Sequence, residues 1–453
     1  MNQKDVLELL KTGENIILTG PAGSGKTYLL NNYIDYLKRN EIEVAVTAST
    51  GIAATHLNGR TIHSWCGMNI EEKMSQKQID NLKENENVFF RVNAARALVI
   101  DEISMLNANR LDLVNNICQA LRQNLRPFGG LQVILCGDFF QLPPVVTREN
   151  EDGRFVVESE IWRKMNLRVC YLDEQHRQED ERFLRILNSI RNNAVSSQVL
   201  EILKERLNQP INSTIKPTKL YTHKYNVEAE NYFELNKLQG ETRGYKMFEQ
   251  GVPHLVKSLK EHYCLAPEIL KLKINAVVMF VKNNFNKGYV NGTLGKVVSF
   301  DNDSGYPIVE TFSGQWIIAL PEIWAIEEGR QVIASVSQVS LKLAWAITVH
   351  KSQGMSLDCA EIDLSKAFEF GMGYVALSRV RKLNGIKLLG INDKALRVNE
   401  QAIGLDRELI NESARNLKDY KSLSPKLIRK RQKEFLKNNK KEKKTDYIFD
   451  IPF

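Results

Sequence analysis

A run of four apolar-to-neutral residues, Ile16-Ile17-Leu18-Thr19, leads straight into Gly20-Pro21-Ala22-Gly23-Ser24-Gly25-Lys26-Thr27 and then into a helical pattern. Strand, GxxxxGKT and helix in that order make a phosphate-binding loop in the context it requires. Glycines at 20, 23 and 25 let successive backbone N–H groups turn toward a phosphate chain, and the following helix adds the positive end of its dipole. Lys26 then reaches the β and γ phosphates, and the Thr27 hydroxyl is placed to ligand Mg²⁺. ATP with Mg²⁺ is therefore the expected cofactor pair, and Ser24 belongs to the same cradle.

The chain has 453 residues, more than one hydrophobic core usually supports, so two to four domains are expected. No run of eighteen apolar residues and no charged-then-apolar leader is present, which points away from membrane spans and toward the cytoplasm. Six cysteines are spread singly, with no CxxC pair and no histidine cluster at metal-ligand spacing, so structural disulfides and zinc are not expected. The net charge of +8 is unevenly placed. Lys421 to Lys444 holds eleven Lys or Arg and two Glu, while the first 420 residues come to only +1. A basic tail thus hangs on a nearly neutral body, and any nucleic-acid channel in that body must be a local stripe.

Along the chain, Val44-Ala45-Val46-Thr47, Ala97-Leu98-Val99-Ile100 and Gln132 to Cys136 read as further buried strands, alternating with helices in the manner of a parallel sheet. Residues 66–95 read as a small, largely helical insertion. Between Lys273 and Leu341 the pattern changes to short, closely spaced strands joined by Asn, Gly and Asp turns, the pattern of a small antiparallel barrel. Parallel-sheet patterns return at Ala344 to Val349, Ala360 to Leu364 and Ile386 to Leu389.

Asp101-Glu102 closes a buried strand, the natural second half of the nucleotide site. Asp101 is assigned to the metal and Glu102 to the general base that deprotonates the attacking water. Gln141, shortly after the next strand, can touch both that water and the γ-phosphate. Arg177 and Arg379 lie far from the loop in sequence. Arginines supplied from a second domain stabilise charge on a transferring phosphoryl group and couple hydrolysis to domain closure.

Taken together, Gly20–Thr27, Thr47–Ala54, Thr61–Trp65, Asp101–Met105, Gly137–Pro144, His176–Gln178, Ala344–Gly354 and Tyr374–Val380 resemble, in order and spacing, the motifs of the superfamily-one helicases of the RecD/Pif group, with the Pif branch indicated by Asp-Glu-Ile-Ser-Met and Gly-Asp-Phe-Phe-Gln-Leu-Pro-Pro. The resemblance implies an α/β fold of two RecA-like P-loop domains, with a small helical wedge insertion in the first and an SH3-like β-barrel insertion in the second. On that plan the first domain is 1–172, its wedge 66–95, the second 173–272 with 342–408 and the barrel 273–341; by its own charge pattern 409–453 reads as a helical, then basic and mobile tail. It also implies stepping along single-stranded DNA, 5′→3′, and unwinding of duplex or structured DNA in replication, recombination or repair by a monomer acting at single-strand/duplex junctions. By motif position Gln3 reads adenine, and Thr50, Thr61, His63, Thr348, His350 and Ser352 meet the DNA. Trp65 is open between a base-stacking role and a core anchor. Absence of a long amino-terminal extension suggests the minimal form found in bacteria or phages.

The residues alone also accommodate a translocase that strips proteins from DNA, or an ATP-gated DNA-binding switch; Glu102 with two arginines favours fast hydrolysis over the switch. Asp450-Ile451-Pro452-Phe453 resembles the carboxyl-terminal tip of bacterial single-stranded-DNA-binding proteins, which suggests a partner protein with an apolar, basic-rimmed pocket. Lysine-rich sequence after Ser424 reads as a mobile helix or disordered arm.

Overall fold

The computed structural model describes residues 1–439 except 58, 69–70, 72, 144–154, 176–179, 212–216, 261–263, 283, 285–286, 290 and 329–330. Two compact units are formed, the first from Met1–Glu179 with Asn399–Phe453, the second from Asp180–Val398.

In the first unit, β1 (Ile16–Thr19), β2 (Val44–Ala48), β3 (Arg60–Thr61), β4 (Ala97–Asp101), β5 (Gln132–Gly137) and β6 (Arg168–Tyr171) make one sheet in the order β3-β2-β4-β5-β1-β6. Every pairing is parallel. The central strands are buried along their whole length, as near-continuous apolar runs covered on both faces must be. Registers Leu18↔Cys136 and Thr19↔Gly137, with Ala48↔Asp101, bring the carboxyl ends of β1, β2, β4 and β5 out along a single edge. Three helices, Ile62–Cys66, Gln76–Asn81 and Glu86–Ala94, lie between β3 and β4. The two-residue β3 had no periodicity to reveal it.

The tail, expected to be helical and then, after Ser424, a mobile helix or disordered arm, is helical as far as Asn439, and its lysine-rich part is packed down. Glu400–Ser422 is one long helix that seals the outer edge of β6: the Tyr171 amide donates to Ser413 Oγ at 3.0 Å, and Asn416 Nδ2 donates to Val169 O at 3.4 Å. Backbone groups that an edge strand leaves open are thereby answered. A second helix, Pro425–Asn439, follows and packs on the turn after the first helix, Gln3–Leu10. Arg431 Nη1 donates to Glu14 Oε1 at 2.9 Å, and Gln432 Nε2 donates to Glu8 O at 3.1 Å. Phe435 and Leu436 join the core that holds Leu10, Leu30 and Tyr33. Ile428, Arg431, Gln432, Phe435, Leu436 and Asn439 recur at helical spacing on the less exposed side. The lysines between them mask this stripe in any count of charge. Gly13, at φ +82°, shows how close the approach is, for a Cβ there would lie 2.3 Å from the Phe435 ring. Phe435→Ala is expected to lower stability by about 1–2 kcal/mol, a fraction of a fully buried phenylalanine's worth, measured as a lower denaturant midpoint.

In the second unit a four-stranded parallel sheet has the order β18-β7-β19-β20, from β7 (Thr218–Tyr221), β18 (Ala346–Thr348), β19 (Ala360–Leu364) and β20 (Ile386–Ile391). The rest is antiparallel. A five-stranded sheet contains β11 (Val277–Phe280), β12 (Leu294–Phe300), β13 (Pro307–Thr311), β14 (Trp316–Ile318) and β17 (Leu341–Leu343). The hairpin of β15 (Pro321–Glu328) and β16 (Gln331–Val339) pairs with β9 (Phe248–Gly251), and β8 (Arg243–Lys246) pairs with β10 (Ile269–Leu272). Leu270 and Leu272 share a core with Val278, Val297 and Leu341. The antiparallel region therefore begins near Arg243, thirty residues before the expected start at 273, because those strands are too polar and exposed to stand out by periodicity.

Candidate functional site: a nucleotide cradle and a sheet-edge track

The phosphate loop forms where β1 meets the helix Lys26–Arg39. Gly20 has φ +144°, and a Cβ at that position would fall 2.2 Å from the Leu172 carbonyl oxygen, so the wrap is open only to glycine. Gly25 caps the helix at φ 83° without a side-chain bond to its first amides, leaving those amides to an anion. Lys26 Nζ donates to the carbonyls of Gly20 and Pro21 at 2.8 and 2.9 Å, which holds the ammonium over the loop.

Asp101 ends β4, Glu102 follows it, and they are 7% and 9% exposed. The Glu102 amide donates to Asp101 Oδ1 at 2.9 Å. Glu102 itself is left-handed, φ 51° and ψ 45°, an unusual setting for a residue with a side chain. Ser49 holds it there, its amide donating to Asp101 O at 3.0 Å and its hydroxyl to Glu102 O at 2.8 Å. Nothing in the sequence marks either the strained conformation or the serine that supports it. Cys136, at the end of β5, has its thiol pushed well above the usual range, first by burial and then by the neighbouring Asp101 carboxylate, with Lys26 opposing. Gln141 is 6% exposed, in a turn where its amide donates to Asp138 O at 3.1 Å.

Two buried atoms here have no partner among the described residues: Ser24 Oγ and Gln141 Oε1. Buried polar atoms are nearly always bonded, so their occurrence where a phosphate chain and its attacking water would sit fits a bound nucleotide. Thr27, on the exposed first turn, and Asp101 would hold Mg²⁺. Gln3 Nε2 donates to Ser24 O at 3.5 Å, which brings the expected adenine reader onto the loop.

Farther along the same edge lie Thr50, Thr61 and His63. Thr50 Oγ1 accepts from the Ala53 amide at 3.3 Å, and Thr61 caps the helix Ile62–Cys66, accepting from the Ser64 amide at 3.2 Å. Trp65 is 3% exposed and belongs to the core, which settles its two readings in favour of the anchor. Burial, with the Arg110 charge adding to it, pushes the His63 imidazole down to about 4. A histidine whose folded value lies below its unfolded one is stabilising when neutral, and that contribution is lost as pH falls from about 6.5 toward 4. His63→Gln should accordingly lose less stability than the parent between pH 7 and pH 4, read as the difference in melting temperature.

In the second unit Thr348 ends β18 and caps the helix Val349–Ser352, its Oγ1 accepting from the Lys351 amide at 3.3 Å. His350 Nε2 lies 3.3 Å from Glu369 Oε2, with its ring stacked on Phe368 at 6.1 Å between centroids. His223 meets the same Phe368 at 4.9 Å. His350 was among the expected contacts, Phe368 and His223 were not; an exposed phenylalanine just beyond a parallel strand was the available hint. Ser352, expected at the strand, is fully buried, and its hydroxyl donates to Val349 O at 2.7 Å. Arg379 is 1% exposed, with Nε donating to Val375 O at 2.9 Å and Nη2 to Ser378 Oγ at 2.9 Å. Arg177 and the tip Asp450–Phe453 lie outside the described residues.

A six-stranded parallel sheet with its phosphate loop, acidic pair and glutamine at one edge, joined in sequence to a second parallel-sheet unit, defines a P-loop ATPase of the two-RecA-like-domain kind. The PIF1-like helicase model matches residues 1–204, and the DNA helicase Pif1 2B domain model matches 255–300, inside the antiparallel region. The chain is 41% identical to the ATP-dependent DNA helicase Pif1 of Psychrobacter sp., covering 96% of this chain and 75% of that one. It is 37% identical to ATP-dependent DNA helicase PIF1 of Xenopus laevis over 91% of this chain and 64% of the relative. Among solved structures, Pif1 helicase from Candida albicans superimposes with a TM-score of 0.84 at 36% identity, covering 90% of this chain and 98% of that one. Bacteroides Pif1 bound to ssDNA does so with a TM-score of 0.75 at 31% identity, covering 92% and 97%. The chain belongs to the Pif1-like helicase family.

Proposed function

We infer that this protein is an ATP-dependent DNA helicase that travels 5′→3′ on single-stranded DNA and opens duplex or structured DNA ahead of it, in replication, recombination or repair. Membership of the Pif1-like family supports the activity and its direction. The observation that carries the chemistry is the convergence of the phosphate loop, Asp101-Glu102 and Gln141 on one sheet edge, with Ser24 Oγ and Gln141 Oε1 left to a ligand.

In this reading Gln3 selects adenine and the loop amides with Lys26 hold the β and γ phosphates. Mg²⁺ held by Thr27 and Asp101 would neutralise charge on the phosphate oxygens. Glu102 takes the proton from water as its oxygen attacks the γ-phosphorus and the bond to the β-phosphate oxygen breaks. Gln141 orients that water. Arg177 and Arg379 stabilise the transferring group and link its loss to movement of the second unit. Each unit offers its own strand contacts, Thr50, Thr61 and His63 in the first and Thr348 with the His350–Phe368–His223 group in the second, the hydroxyls on phosphates and the rings on bases. The working form is a monomer at single-strand/duplex junctions, and the terminal Asp450–Phe453 offers a docking tip to a partner protein.

Steady-state ATP hydrolysis with and without single-stranded DNA tests the reading. Strong stimulation by the strand is expected; slow hydrolysis indifferent to DNA would instead favour the ATP-gated switch.

A further inference from the structure

The last helix, Pro425–Asn439, separates its charge from its packing. Gln432, Phe435 and Leu436 hold it to the first unit, and Arg431 is spent on Glu14 at 2.9 Å. At 3.6 residues per turn, Lys426, Lys430, Lys433 and Lys437 fall within about 60° of one another on the opposite side. All four are exposed, as is Arg429 beside them. With a rise of about 1.5 Å per residue, these cations form a rail roughly 16 Å long. Docking of the apolar side fixes where the rail points, which a mobile arm could not do.

One acidic residue accompanies them on this helix, Glu434, 3.8 Å from Lys430. The preceding helix, Glu400–Ser422, mixes five acidic with four basic residues, so the segregation belongs to the last helix and is no general property of the tail. Like charges three and four residues apart on a helix repel, an arrangement unfavourable for the helix alone and relieved by an extended polyanion.

The helix also lies at the end of the sheet away from the nucleotide cradle. Phe435 and Asn439 border a cavity of about 270 Å³ whose walls include Asn15 and Gln132, where β1 and β5 begin; the cradle sits where those strands end. Arg96 and Arg126 line the same cavity and carry positive charge on past the last turn.

Proteins that grip single strands pair a basic groove with aromatic side chains on which bases stack. Phe435, the one aromatic residue of this helix, is packed against the core, so the outward side offers charge alone. Charge without stacking suits a backbone whose bases are already paired and stacked. Over about 16 Å of its axis a duplex presents on the order of ten phosphates, ample for five cations.

We propose that the Lys426–Lys437 face of the last helix is a docking rail for the phosphate backbone of double-stranded DNA, separate from the single-strand contacts and from the nucleotide cradle.

The test is the salt dependence of affinity for a blunt duplex and for a single strand of equal length, measured by fluorescence anisotropy on the full chain without nucleotide. The parent is compared with a triple variant, Lys430→Gln with Lys433→Gln and Lys437→Gln, and with the matching triple arginine variant. Each phosphate neutralised on a duplex contributes about 0.9 to the slope of log affinity against log salt, so the glutamine triple should lower the duplex slope by about 2–3 and leave the single-strand slope unchanged. The arginine triple should keep both. Loss of like-charge repulsion should leave the melting temperature of the glutamine triple equal to the parent's or higher. Lys426→Gln with Arg429→Gln is a second variant, with an expected loss of about 1.8 in the duplex slope. An unaltered duplex slope in both glutamine variants would overturn the rail. An equal or larger loss on the single strand would make it a single-strand contact, and the duplex assignment would fall. Binding of polyglutamate that the glutamine triple loses, with the duplex slope unaltered, would assign the face to an acidic protein instead. Neither nucleotide nor hydrolysis enters the measurement, so its outcome is distinguishable from failure of the helicase reading.

Discussion

Glu102→Gln lowers the rate of ATP turnover by about 10²- to 10⁴-fold while nucleotide binding persists, because the amide keeps the side chain's shape but cannot accept the proton of the attacking water. The conformation of Glu102 sharpens this expectation. Its left-handed backbone is held by Ser49 through the Asp101 and Glu102 carbonyls. A residue kept in such a conformation has little freedom to be replaced functionally by a neighbour. Single-turnover hydrolysis beside equilibrium binding of a fluorescent ATP analogue separates the two effects. Loss of binding in parallel with turnover would show that Glu102 supports the cradle instead of acting on water.

Lys26→Ala acts earlier. The Lys26 ammonium is already fixed over the loop by the Gly20 and Pro21 carbonyls, so a phosphate chain meets a charge that needs little reorganisation. Removing it takes away both ground-state attraction and stabilisation of the charge that spreads over the transferring group. The expected loss is at least about 10²-fold in turnover, the scale of a single preorganised donor, together with a clear weakening of ATP binding. Strand binding in the absence of nucleotide should survive, since Lys26 is not among the proposed strand contacts. If turnover were reduced with ATP affinity unaltered, Lys26 would be acting only in the transition state.

How far these sites could be read in advance depended on how local their geometry is. The phosphate loop, the acidic pair and Gln141 are each set by a strand ending and a turn starting, and such junctions declare themselves in a few consecutive residues. Their convergence was also legible, since parallel strands in register must deliver their carboxyl ends to one edge. What depended on distant packing was not. Ser352 lies in a four-residue helix that buries it with its hydroxyl on Val349 O, a burial that its motif does not reveal. Phe435 sits among lysines, and its partly buried stripe is made by the close approach to Gly13 and the core beside it. Strands between Arg243 and Leu272 take their place from pairing partners far along the chain, Val336 and Ser337 among them.

Directional unwinding tests the central claim most directly. Duplexes bearing a single-stranded tail on either the 5′ or the 3′ side are offered with ATP and Mg²⁺, and strand displacement is followed in time. The account predicts displacement from the 5′-tailed duplex alone, abolished in Lys26→Ala and Glu102→Gln. Displacement from the 3′-tailed duplex, or none from either despite strand-stimulated hydrolysis, would contradict a 5′→3′ helicase.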